Sequence, residues 1–247
     1  MKAIEKPQLI INTTLLILLA LIALILTLSG CSSERIQGNR DLMTEERTAQ
    51  PFSRVIAQGN ITVHVIPSAD TRILVKAESN ILPYLYALSD GNTITVGFKN
   101  GFNIQEHFPV EVTLYTPEME SLKLSGSGDI DCIGFETTEV ELQITGSGNI
   151  NAGFTSTDLT ATVSGSGNMN ISGSSPLTHF AVSGSGNIRA DELAQNECVA
   201  SISGSGNIIA AVSQNLDAFI TGSGNIYFLG DPEITSHITG SGKVLPY

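Results

Sequence analysis

The residues with the greatest capacity for chemistry in this chain are those that recur in phase. Asn149, Asn168, Asn187, Asn207 and Asn225 follow one another at intervals of 18 to 20 residues, with Asp129 before them and Lys243 after. A primary amide both donates and accepts, so a stacked row of asparagines can form a structural ladder. Facing outward, the same row could hydrogen-bond a glycan or a surface. Asparagine also tolerates the left-handed backbone that tight corners need, which weighs toward structure. A row of hydroxyls, Ser127, Ser147, Ser166, Ser185, Ser205, Ser223 and Ser241, carries the same two readings.

Other candidates do not converge. Glycine-rich β-rolls that bind calcium place an aspartate in every loop to supply a hard anionic oxygen, and here only Asp129 stands at that position. His64, His107, His179 and His237 share no phase, so no metal site is expected, and no motif calls for a cofactor. Asp129 with Asp131 and Asp191 with Glu192 are carboxylate pairs whose spacing does not recur, which reads as solvated charge. Arg189 and Lys243 are the only basic residues after Ser125, few donors for stabilising a polyuronate transition state. No catalytic residue is assigned. Cys132 and Cys198 fall about three rungs, or about 14 Å, apart in the coil register derived below, beyond the ~7 Å limit between disulfide-linked Cα atoms.

The elements that must position these residues are set by a repeat. Gly-Ser-Gly begins at positions 126, 146, 165, 184, 204, 222 and 240, with spacings of 20, 19, 19, 20, 18 and 18. Two residues before each first glycine stand Leu124, Ile144, Val163, Val182, Ile202, Ile220 and Ile238; four after it stand Ile130, Ile150, Met169, Ile188, Ile208, Ile226 and Val244. The period is too short for helical-hairpin repeats or propeller blades, and the period-two alternation of β-branched residues predicts strands. Each repeat is therefore one coil of a β-solenoid, and the first and third residues of each Gly-Ser-Gly are expected at positive φ. A third column, Leu122, Leu142, Ala161, Phe180, Ala200, Ala218 and Ser236, is looser, which predicts either a coil that tapers toward its C-terminal end or a wall that is only partly buried, the taper being favoured.

Residues 51–120 are less regular. Ile61, Val63 and Val65, then Ile94, Val96 and Phe98, then Val110, Val112 and Leu114 alternate like strands. Gln58-Gly59-Asn60 and Asp90-Gly91-Asn92 resemble degenerate corners, predicting wider coils that cap the first end. Lys243, Pro246 and Tyr247 are expected to blunt the other.

The chain has 247 residues, with 12 Lys plus Arg against 24 Asp plus Glu, a formal charge of -12. An acidic body repels nucleic acid. Lys2 and Lys6 precede an apolar run from Leu15 to Leu28, the size of a secretory core, and the run ends in Leu28-Ser29-Gly30-Cys31. That ending resembles the bacterial lipobox. The resemblance implies that residues 1–30 are a lipoprotein signal peptide, that Cys31 carries the lipid, and that acyl chains hold the protein to a membrane. Ser32 rather than aspartate after the cysteine implies the outer membrane of a bacterial envelope. Removing Lys2, Glu5 and Lys6 leaves 12 − 2 = 10 basic and 24 − 1 = 23 acidic side chains, a charge of -13. Residues 31–50, polar and without an apolar period, read as a flexible tether.

Over about Phe52 to Tyr247 the chain is similar to the putative auto-transporter adhesin, head GIN domain, family. The carriers are the Ser/Thr-Gly-Ser-Gly-Asn-Ile phrases, as in Ser183 to Ile188 and Ser203 to Ile208, and Phe52-Ser53-Arg54-Val55 with Ile61-Thr62-Val63. Asp129 and Lys243 replace the asparagine, and Met169 the isoleucine, at single coils. The resemblance implies an all-β, right-handed parallel β-helix with 18- to 20-residue coils over residues 51–247, irregular over 51–120 and regular over 121–247. It implies no established reaction. The expected function is a non-catalytic envelope binding module, with a glycan or an envelope protein as partner; the alternatives are a polysaccharide-active enzyme with its site on the N-terminal coils, or a structural assembly protein. The oligomeric state is left open.

Overall fold

The computed structural model describes residues 34–247, so the export segment and Cys31 lie outside the described residues. In chain order the N-terminal part comprises β1 (Glu34–Gln37), β2 (Leu42–Arg47), β3 (Arg54–Gly59), β4 (Thr62–Pro67), β5 (Arg72–Glu78), a 3-10 turn at Leu82–Tyr84, β6 (Leu85–Asp90), β7 (Thr93–Phe98), β8 (Phe102–Gln105) and β9 (Glu111–Thr116). The regular part comprises β10 (Ser121–Gly126), β11 (Asp129–Glu136), β12 (Glu139–Gly146), β13 (Asn149–Thr155), β14 (Asp158–Gly165), β15 (Asn168–Ser174), β16 (Leu177–Gly184), β17 (Asn187–Gly204), β18 (Asn207–Gly222), β19 (Asn225–Leu229), β20 (Glu233–Gly240) and β21 (Lys243–Pro246).

These strands build a parallel β-solenoid with two strand-bearing faces. The first face runs β7, β3, β10, β12, β14, β16, the ends of β17 and β18, and β20. The second runs β9, β4, β11, β13, β15, the starts of β17 and β18, β19 and β21. The alternation of apolar residues sets the register, because a one-residue slip would turn a whole column outward. Val163, Val182 and Ile202 are in register on consecutive strands and fully buried. The looser column is buried too, from Leu122 through Ala218, leaving only Ser236 exposed. It does not taper. Phe180 stacks between Ala161 and Ala200, so small residues on both neighbouring rungs make room for the ring.

The Gly-Ser-Gly corners need their two glycines for different reasons. Gly146 has φ 128°, a conformation that a Cβ disfavours. Gly148 is not in that region; a Cβ there would overlap the Gly128 carbonyl oxygen and sit 2.7 Å from Leu124 Cδ2. Close stacking, rather than φ, fixes the second glycine. Ser147 N and Gly148 N both donate to Gly126 O, at 2.9 and 3.1 Å, so each corner is tied to the one before it.

The N-terminal end departs from the sequence reading in three ways. First, the coils do not stack in chain order, because β7 and β9 lie outside the coil made of β3 and β4. Second, the cap is antiparallel: β6 covers β7, while β5 and then β2 cover β9. Asp90-Gly91-Asn92 is accordingly a hairpin turn rather than a corner, with Gly91 at φ 55°. Gln58-Gly59-Asn60 is a true corner, with Gly59 in register with Gly126.

Third, residues 34–47 are not a tether. β1 pairs with β8, and β2 pairs with β5 from Leu42 to Arg47. The β2 side chains are exposed but for half-buried Arg47, so this edge strand has no apolar alternation for a sequence reading to find. It is held by its ladder and by Arg47, whose guanidinium donates to Leu85 O (2.9 Å) and Leu82 O (3.1 Å). Fully buried Glu78 adds a clip: it accepts from Arg40 N (2.5 Å) and His107 N (2.8 Å), with His107 Nδ1 at 3.1 Å.

Candidate functional site

The asparagine row faces outward and bonds to itself. Asn149 Nδ2 donates to Asp129 Oδ1 (2.8 Å), Asn168 to Asn149 (3.1 Å), Asn187 to Asn168 (2.8 Å), Asn207 to Asn187 (3.1 Å) and Asn225 to Asn207 (3.5 Å). Every amide donates toward the N-terminal end. An ionised carboxylate only accepts, so Asp129 terminates that direction, while Lys243 closes the other end with its backbone N–H on Asn225 Oδ1 (3.1 Å). Both departures from asparagine are thus end groups of a directed chain. The row is a ladder on the surface, neither an inward stack nor a set of unengaged amides.

A second ladder runs beside it, two residues along each strand. Asn170 Nδ2 donates to Asn151 Oδ1 and Asn151 Nδ2 to Asp131 Oδ1, both at 2.8 Å, and His64 Nδ1 lies 3.3 Å from Asp131 Oδ2. Position 189, next in this column, is Arg189, which turns instead to Asp191 through Nε (2.9 Å) and Nη2 (2.8 Å). That fork holds the Asp191 carboxyl below its ordinary value. Asp129 and Asp131 therefore serve as acceptors for amides, and Asp191 is ion-paired. Cys132 lies on the second face and Cys198 on the first, four rungs away rather than three, and both are buried thiols. Burial pushes the Cys132 thiol far up and the Cys198 thiol to about 12.

Reading the coil positions outside the glycine phrase reveals what the sequence analysis missed. On the first face, a groove of about 890 Å³ is lined by Arg54, Glu120, Ser121, Thr137, Thr138, Glu139, Val140, Glu141, Asp158, Thr160 and His179. Ser121, Glu141, Thr160 and His179 occupy one register column, and Glu139 and Asp158 the next. The lining is rich in hydroxyl and carboxylate groups. Arg54 Nε pairs with Glu120 at 3.4 Å and Lys123 Nζ with Glu141 at 3.0 Å; His179 Nδ1 lies 3.8 Å from Asp158. The signal was the column five residues before each first glycine, where only His179 attracts notice.

Comparison with known proteins decides the family. The model of the family described as putative auto-transporter adhesin, head GIN domain, matches residues 51–232. The chain belongs to this family. Solved structures similar to this head GIN domain include a putative adhesin from Bacteroides fragilis NCTC 9343, with TM-score 0.81 and 22% identity, covering 86% of this chain and 100% of that one. A putative lipid binding protein from Parabacteroides distasonis ATCC 8503 has TM-score 0.72 and 24% identity, covering 87% and 100%. A putative adhesin from Parabacteroides merdae ATCC 43184 has TM-score 0.68 and 23% identity, covering 87% and 99%. At these identities the likeness concerns the fold. Among curated proteins none matches the sequence. The head GIN match and the β-solenoid agree with the resemblance drawn from the repeated phrases.

Proposed function

We propose that this protein is a lipid-anchored, non-catalytic binding module of the bacterial envelope whose first face takes a hydroxyl-rich chain such as a glycan. The observation that carries this reading is the groove from Arg54 to His179, whose seryl, threonyl and carboxylate groups offer alternating donors and acceptors across several rungs. Polyanions are disfavoured by Glu120, Glu139, Glu141 and Asp158. A binding role is supported by the engagement of Glu120 with Arg54 and of Glu141 with Lys123 in ion pairs, which ties up two of the groove's four carboxylates. The test is to screen the purified mature chain against polysaccharides. Saturable binding that falls at least tenfold in Glu139→Gln/Thr160→Val, without turnover, supports the module; release of shortened chains would establish the enzyme instead.

The anchor in this proposal is the lipid on Cys31, with Ser32 directing the protein to the outer membrane. Support comes from the Leu28-Ser29-Gly30-Cys31 phrase and from its position three residues before β1 begins at Glu34. Because β1 pairs with β8 beside the outermost coil, the leash between lipid and body would be only about 10 Å. Metabolic labelling with palmitate should mark the wild-type chain and fail in Cys31→Ala.

A further inference from the structure

The two ends of the solenoid are treated differently. At the N-terminal end the chain lays its own antiparallel strands over the outermost coil, β6 on β7 and β5 on β9. At the C-terminal end nothing among the described residues covers β20, which pairs only with β18. All eight of its residues are exposed, including Ile234 and Ile238, which extend the buried columns of Leu216 and Ile220.

The backbone phase of β20 follows from the ladder. Glu197 N donates to Pro176 O at 2.9 Å, so Glu197 bonds back toward the preceding coil; Glu197 is in register with Asn215, and Asn215 with Glu233. Alternate residues of a parallel strand bond to opposite neighbours. Ile234, Ser236 and Ile238 therefore present their N–H and C=O groups outward, and their side chains point to the core column. β20 also lacks the lysine or proline that usually protects an exposed edge. β21 has partial protection: Tyr247 N donates back to Phe228 O, so the outward positions of this edge are Val244 and Pro246, and Pro246 has no N–H.

We infer that β20 is the interface for a second copy of this chain, joined end to end across a two-fold axis at Ser236. The sequence Ile234-Thr235-Ser236-His237-Ile238 has the same side-chain types on either side of Ser236 at the core-facing positions. An isologous contact demands that symmetry. In the antiparallel register centred there, Ser236 meets Ser236 of the second copy, and Ile234 meets Ile238 of the second copy. These are the hydrogen-bonded pairs of an antiparallel ladder, because all three residues point their backbone groups outward. Glu233 falls opposite Thr239 of the second copy and Thr235 opposite His237 of the second copy, so no like charges face each other. The partner strand does for β20 what β6 does for β7, and the apolar columns continue across the junction.

The inference does not depend on what the groove binds. The full chain with Ser236→Cys, exported in a bacterial host and mildly oxidised, tests it, since hydrogen-bonded antiparallel pairs lie about 5.5 Å apart and disulfides span about 4.4–6.8 Å between Cα atoms. The expected result is at least tenfold more disulfide-linked dimer than for Ser185→Cys, an exposed corner control, or for the parent chain. Adding Ile238→Lys should abolish the dimer with little change in thermal midpoint, because Ile238 is 43% exposed in the single copy. Equal cross-linking at positions 236 and 185, or a dimer that survives Ile238→Lys, would overturn it.

Discussion

Asn149 Nδ2 stands 2.8 Å from Asp129 Oδ1, and this contact is the last link of a chain of amides reaching back from Asn225. Since every link points the same way, the acceptor at Asp129 matters more than its charge. Asp129→Asn should leave thermal stability nearly unchanged, whereas Asp129→Ala leaves an amide donor without its partner and should lower it. Replacing Asn168, Asn187 and Asn207 with alanine should cost about 0.5–1.5 kcal/mol per lost bond, read by denaturant unfolding, and should leave glycan binding intact. A triple variant as stable as the parent would remove the ladder from the account.

Corner packing gives a sharper expectation. Gly148→Ala places a methyl group against the Gly128 carbonyl and 2.7 Å from Leu124 Cδ2, at a position where φ alone would allow alanine. The strained core should lose about 1–3 kcal/mol in denaturant unfolding. Gly91→Ala meets no atom within 4 Å, and its cost is confined to the positive φ of the hairpin turn.

The Glu78 clip predicts acid sensitivity at the N-terminal cap. Burial disfavours the charged form, but the backbone N–H groups of His107 and Arg40 and the His107 ring outweigh it, so the carboxyl is held below its ordinary value. A depressed folded value contributes stability that is full above the unfolded value of about 4.3 and is lost as pH falls through the folded one. Thermal midpoints recorded from pH 7 to pH 3 should drop at the acid end. Glu78→Gln should be less stable at pH 7 and flatter over that range, and a parallel drop in both proteins would exclude the clip as the cause.

Cys132 and Cys198 are buried, and burial alone raises the first thiol while it raises the second to about 12 despite a hydrogen bond from Thr178. Neither should react with a thiol reagent at pH 8 until denaturant is added, after which both should label. Mass spectrometry of the labelled peptides checks this, and native labelling at either site would mean that the coil opens locally.

What the sequence alone determined is whatever repeats. A two-residue alternation flanking a fixed glycine phrase forces Val163, Val182 and Ile202 into one column, because only that register buries them all. The same phase placed the asparagines above one another and separated the two thiols. What only the tertiary structure decided is whatever depends on partners distant in the chain. β2 shows no apolar pattern because an exposed edge strand buries no side-chain face, so its ladder with β5 is invisible until the cap is assembled. The stacking of β7 and β9 outside β3 and β4 reverses chain order, which no local signal encodes. The second glycine of each corner is fixed by the carbonyl one rung below. The groove on the first face exists because Ser121, Glu141, Thr160 and His179 are brought to adjacent strands, and the openness of β20 exists because no strand among the described residues pairs on its outer side.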